Sequence, residues 1–224
     1  MKTAQEIYAE YKIMPSLHLH QLRVAAVGKL VCDNFTKPVN AHDVVLACLF
    51  HDMGNIIKSD LTVFPEFSEP EGLDYWQGVK DEYVKKYGAD HHVANAVIAR
   101  EIGLPESAYR LITDIGFSKI DKILLDASDE QKICEYGDLR VGPHGVLPME
   151  ERLEEGRRRY LSRKSVVDGE GTGVRKPDEH YQALVRSAKE LEQQIFESAT
   201  ITPVDITDDA IKDIVEELRD YPID

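Results

Sequence analysis

The chain has 224 residues, a formal net charge of −14 and 42% hydrophobic residues. That length suffices for a sizeable core, while the acidity argues against long nucleic acid, which needs a basic surface. No apolar run approaches the ~20 residues that span a bilayer and no signal-peptide pattern opens the chain, so a cytoplasmic protein without a membrane partner is expected.

The hydrophobic spacing predicts an all-α fold, with helices near 3–12, 16–35, 41–57, 74–88, 91–102, 105–116, 129–140, 149–163, 178–199 and 208–219. Pro15, Pro38, Pro105, Pro148 and Pro177 stand at or near helix starts, and Gly88 and Gly103 read as stops. No run of alternating strands stands out. Residues 58–73 form a long loop with Phe64, Phe67 and Trp76 in or near it, read as a lid or as a satellite cluster that packs the loop down. Three parts are expected: a catalytic helical domain over 1–164, a flexible connection over 165–177 and C-terminal helices over 178–224. Tyr181, Leu184, Ala188, Leu191 and Ile195 make an apolar stripe on the first of these C-terminal helices. That stripe folds back on the preceding helices or serves a homodimer. Cys32, Cys48 and Cys134 lie in apolar helical contexts without metal-type spacing and read as reduced, buried thiols.

Four residues concentrate the chemistry. His20, His51, Asp52 and Asp138 are two imidazoles and two carboxylates, each in a stretch that reads as helix. Such a set suits a divalent cation that accepts mixed nitrogen and oxygen ligands. A cation held with open positions activates water near neutral pH and shields phosphate charge, so the set points to hydrolysis of a phosphate ester. The His-Asp dipeptide alone says little, because chance alone yields about one such pair in a chain of this composition. His42-Asp43 is a second pair and serves as an internal control. Asn40 before it reads as an N-cap and Asp43 falls in the first turn, where a carboxylate favours the helix dipole. Only His51-Asp52 follows directly on the apolar run Val44 to Phe50. A carboxylate there needs partners.

Three segments resemble the signatures of the HD-domain superfamily of metal-dependent phosphohydrolases. They are His20-Gln21-Leu22-Arg23-Val24-Ala25, Phe50-His51-Asp52-Met53-Gly54-Asn55 and Tyr136-Gly137-Asp138-Leu139-Arg140. The resemblance covers roughly residues 15–163 and implies a helical bundle in which His20, His51, Asp52 and Asp138 bind one metal, whether Mn, Ni, Co, Mg or Fe. His18 is the rival for the first position, but His20 stands three residues before the Arg of the motif.

The chain also departs from the pattern. Asn55 stands where many relatives carry Lys or Glu, which leaves the proton-transfer role of that Glu without an obvious holder. Lys58, one turn on, is a candidate phosphate contact, with a solvated helix-end lysine as the bland alternative. The segment Gly88 to Arg100 resembles the family's fourth helix; His91 fits its histidine spacing best and His92 is the alternate. These two are read as a catalytic and a substrate-binding residue, or as exposed first-turn histidines behind the N-cap Asp90. Arg23 and Arg140, close in sequence to His20 and Asp138, are further substrate-binding candidates. His144 lies nearby in a turn after Asp138, before a helix rich in intrahelical charge pairs. The expected activity is hydrolysis of a nucleotide or other small phosphorylated metabolite. The alternatives are a di-iron oxygenase of the same fold, completed by His91 and His92, and a ligand-sensing module without turnover.

Overall fold

A capping box starts the first helix of the computed structural model: Thr3 Oγ1 accepts from the Glu6 amide, and the Glu6 carboxylate accepts from the Thr3 amide. The structure describes residues 2–167 and 178–223, without the side chains of residues 160, 162–167 and 178. The helices are α1 (Ala4–Glu10), α2 (Pro15–Asp33), α3 (Ala41–Phe50), α4 (Leu73–Tyr87), α5 (His91–Ile102), α6 (Glu106–Asp114), α7 (Ile120–Asp126), α8 (Asp129–Arg140), α9 (Met149–Val167), α10 (Asp178–Phe196) and α11 (Asp208–Arg219). Among the described residues the fold is all-α but for two isolated bridges, Phe35 with Ala199 and Val141 with Val146, and a two-residue pairing of β1 (Lys2–Thr3) with β2 (Pro222–Ile223), which ties the two ends of the described chain together.

The starts follow local chemistry. Pro15 opens α2, where its missing N–H costs nothing. Asn40 caps α3 by accepting from the Asp43 amide, Asp90 caps α5 through the His92 and Val93 amides, and Ser128 caps α8 through the Gln131 amide. α5 ends at Gly103, whose φ of +83° is left-handed and favours glycine.

Helices α2, α3 and α8 form the centre. α2 packs on α3, α8 and α11, while α3 also meets α6 and α8. Two glycines let them approach closely. A Cβ on Gly28 of α2 would lie 3.1 Å from Val44 Cγ1 of α3, and one on Gly137 of α8 would lie 3.0 Å from the Val24 carbonyl of α2. Leu22, Val24, Leu46, Leu49, Phe50 and Ile133 are wholly buried here. Each such side chain contributes roughly 1.5–3 kcal/mol through its burial.

Several expectations are revised. The helix expected over 41–57 stops at Phe50; His51–Gly54 form a turn, and a 3₁₀ turn covers Asn55–Lys58. The cause is tertiary, because Gly54 is drawn against α5 by a hydrogen bond from its amide to Asn95 Oδ1 at 2.5 Å. Helix α7 was not anticipated, since seven residues are too few to show a helical period. Of the connection expected over 165–177, residues 165–167 belong to α9 and the rest lie outside the described residues. Leu184, Ala188, Leu191 and Ile195 are buried, and α10 that carries them packs on α7 and α8. The apolar stripe is thus spent within the chain. Among the described residues no helix is long and apolar enough to cross a membrane.

Candidate metal centre

His20 projects from α2, His51 and Asp52 from the turn that ends α3, and Asp138 from α8. The close packing of these helices brings the four together. Asp138 Oδ1 lies 3.2 Å from His20 Nε2 and 3.6 Å from His51 Nε2; Asp52 Oδ2 lies 3.8 Å and 3.6 Å from the same atoms. His20, His51 and Asp52 each offer a ligand atom within 4.8 Å of one another, a spacing that can hold a metal ion.

The tautomer of His51 is set locally. Its Nδ1–H donates to the Cys48 carbonyl at 2.8 Å, which leaves Nε2 facing the carboxylates. That Nε2 is buried and has no hydrogen-bond partner among the described residues. A buried ring nitrogen without a partner, faced by two carboxylates, is what a cation site provides. Burial opposes a charge on His51, yet Asp52 and Asp138 outweigh it and push its pKa up to about 10. Burial likewise works against ionised Asp138, but the neighbouring His20 and His51 imidazoles hold its carboxyl well below the usual range.

A cavity of about 430 Å³ opens onto these donors. Lys58, His92, Asn55 and Asn95 line it, as do Phe64 and Phe67 from the long loop. His91 is not part of this lining, but its ring stacks on His92 at 4.0 Å between centroids. Burial, with the charges of Lys58 and His92, lowers its pKa to about 4, so His91 is neutral near pH 7. Phe64 and Phe67 also meet the exposed His144 ring, at 5.6 and 5.5 Å between centroids. The long loop therefore packs against the turn that follows α8.

Three of the residues singled out in the sequence stand away from the cavity. His18 packs on Tyr8 at 4.6 Å between ring centroids and faces Arg219, with Nη1 3.4 Å from its Nε2. Arg23 Nε is 3.5 Å from Asp208 Oδ1, and Arg23 does not line the cavity. Arg140 is 3% exposed; it donates to the carbonyls of Leu147, Pro203 and Ile206 and to the Tyr136 hydroxyl. Its guanidinium thus clamps the C-terminal segment to α8 and is not available to a substrate, contrary to expectation. Sequence proximity misled here: two helical steps turn His18 and Arg140 to another face than His20 and Asp138, while Arg23, nearly on the face of His20, is drawn to Asp208 of α11.

Other contributors went unnoticed in the sequence. Gln21, fully buried, accepts the Asp52 amide on Oε1 at 3.2 Å and so fixes the backbone that carries Asp52. Its place directly after His20 was the one available signal. Glu135 of α8 is fully buried and accepts the Gly116 amide at 2.7 Å, which positions the α6–α7 loop on the cavity wall. Arg152 and Arg159 of α9 line the cavity as well.

The family model described as HD domain matches residues 18–136, more than half of the chain. The chain belongs to the HD domain family. That family generally comprises metal-dependent phosphohydrolases, and the match spans His20, His51 and Asp52 and ends two residues before Asp138. No curated protein and no solved structure gives a significant match. The first two signature segments of this HD domain, on α2 and on the turn after α3, lie inside the match, and the third runs past its end on α8, so these elements carry the four donors.

Proposed function

We propose that the chain hydrolyses a phosphate ester, a nucleotide or other small phosphorylated metabolite, with a divalent cation bound by His20, His51, Asp52 and Asp138. The observation that carries this reading is the convergence of two imidazoles and two carboxylates on one cavity that also presents Lys58. Mn, Ni, Co, Mg or Fe suits a donor set of two nitrogens and two carboxylates. When bound, such a cation supplies an activated water and shields charge on a phosphate oxygen.

The rest of the work belongs to the chain's own groups. The Cys48 carbonyl holds His51 in the tautomer that presents Nε2, and Gln21 fixes the backbone of Asp52. The Asp52 carboxylate, beside both imidazoles, orients the attacking water and accepts its proton. Lys58 neutralises the substrate phosphate from the cavity wall, and His92 stands on the same cavity to protonate the leaving oxygen, a role that Asn55 cannot fill. His91, stacked on His92, orients that ring.

The test is metal analysis of the purified protein with a phosphatase screen across nucleoside mono-, di- and triphosphates and cyclic dinucleotides. Turnover that tracks one exchangeable divalent ion per chain is expected. A metal-loaded protein inert across that panel removes the hydrolase reading. Iron near two per chain with oxygen-dependent turnover selects the oxygenase instead, and saturable ligand binding without product selects a sensor.

A further inference from the structure

The cavity is much larger than a phosphate needs, since about 430 Å³ falls in the range that holds drug-sized ligands. Most of a bound molecule therefore meets walls other than the four donors. One wall comes from α9, which packs on α8 just past Asp138. Two of its residues, Arg152 and Arg159, line the cavity. They are seven positions apart, two turns of one helical face, so their backbones are separated by about 10 Å along the axis. Both are largely shielded from solvent, with side-chain exposures of 18% and 28%.

A built geometry holds them. Arg152 Nε donates to the Val141 carbonyl at 2.6 Å and its Nη1 to Glu155 Oε2 at 3.4 Å. Arg159 meets both oxygens of the same carboxylate, Nε at 2.5 Å from Oε1 and Nη2 at 2.9 Å from Oε2. Glu155, one turn from each arginine, thus orients two guanidiniums on one side of the cavity. The second terminal nitrogen of Arg152 makes no hydrogen bond among the described residues. Guanidiniums held this way favour charge-dense acceptors that offer paired oxygens, such as carboxylate and phosphate. In a chain of net charge −14, two arginines turned into the cavity with the metal donors mark that wall for an anion.

We infer that Arg152 and Arg159 form a second anion subsite, so that the substrate carries a second anionic group besides the phosphate that meets the metal donors. This rests on the hydrolase reading for the identity of the first group only. The subsite binds phosphate or carboxylate through the same donors. It discriminates against phosphomonoesters whose far end is neutral.

The experiment uses probes that cannot be hydrolysed. Calorimetric titration of the full, metal-loaded chain compares propylphosphonate with a series of α,ω-alkanediphosphonates of increasing length and with phosphonates that end in a carboxylate. One chain length is expected to bind at least about tenfold tighter than propylphosphonate, the gain of one good charge-assisted contact. The carboxylate series shows which anion the subsite prefers. Arg159→Gln removes that gain and leaves propylphosphonate affinity unchanged. Arg152→Gln does the same, and because Arg152 also holds Val141, Arg159→Gln is the decisive variant. No gain at any length in the wild type, or a gain retained in Arg159→Gln, overturns the subsite. Turnover across the nucleotide panel, whose di- and triphosphates carry further anionic groups, is measured alongside. Its failure strikes the hydrolase reading and leaves the binding comparison standing.

Discussion

Gly54 and Asn95 are joined by a 2.5 Å hydrogen bond from the Gly54 amide to the Asn95 side-chain oxygen, and this contact turns the chain out of α3 just past His51-Asp52. A Cβ at Gly54 would sit 2.6 Å from Ala94 Cβ and 3.0 Å from the His91 carbonyl. Both are on α5, so the turn and that helix would have to part. Gly54→Ala is expected to cost about 1–3 kcal/mol, as overpacking of a tight contact does. It should also weaken metal binding, because the turn holds two of the four donors. Chemical denaturation and metal titration of the variant check this, and wild-type values for both would show that the close approach does not govern the site.

This contact also marks where the sequence stops being legible. The donors were readable because each lies in a short motif, and motif order survives without coordinates. The helical class was readable because apolar spacing in α2, α5, α10 and α11 repeats over three or more turns. The end of α3 was not, since Val44 to Phe50 is apolar on every side and the break comes from α5, 41 positions away. Arg23 and Arg140 were misjudged for a related reason. Their partners Asp208, Pro203 and Ile206 belong to the C-terminal segment, and nothing local announces that it returns to α2 and α8. Arg152 and Arg159 were hidden among the other charges of α9, whose cavity-facing side only packing reveals.

Arg140 supports the fold, and its substitution should report on stability alone. Truncation leaves the carbonyls of Leu147, Pro203 and Ile206 without their donor in a buried setting. Each unsatisfied group costs about 1–3 kcal/mol, so Arg140→Met is expected to lose at least ~3 kcal/mol. Arg140→Lys rescues little, because an ammonium cannot reproduce the fork. Denaturation measures the loss, while KM of the folded fraction should stay at the wild-type value. A raised KM with unchanged stability would return Arg140 to the substrate.

Glu135 gives the cation-free protein a pH dependence of unusual sign for a carboxylate. Burial pushes its pKa from the ordinary 4.5 up to about 8. The folded chain therefore keeps a proton that the unfolded chain releases, and stability falls as pH rises from about 4.5 to 8, then levels off. Glu135→Gln keeps an acceptor for the Gly116 amide and carries no charge. It should flatten this component and gain stability at pH 8 relative to the wild type, on the order of a few kcal/mol at most. Urea denaturation across that window, with chelator present, compares the two chains. Parallel pH profiles would mean that Glu135 is not held protonated.

The two His-Asp pairs supply the sharpest contrast. Asp43 lies at the start of α3; its carboxylate accepts from Asn40 Nδ2 at 2.7 Å, and its amide donates to Asn40 Oδ1. His42 meets the Tyr221 hydroxyl at 2.7 Å, away from the donors. Asp52 instead lies at the other end of α3, within 3.8 Å of His20 and 3.6 Å of His51. Asp43→Ala keeps the backbone half of the cap and should cost only about 0.5–2 kcal/mol, with metal stoichiometry and turnover unchanged. Asp52→Ala removes one of four donors and should lose both metal and turnover. Its helical circular dichroism should persist, because Asp52 is only partly buried and lies past the end of α3. Measured side by side, metal retained by Asp52→Ala and lost from Asp43→Ala would move the site to the wrong end of the helix for everything proposed here.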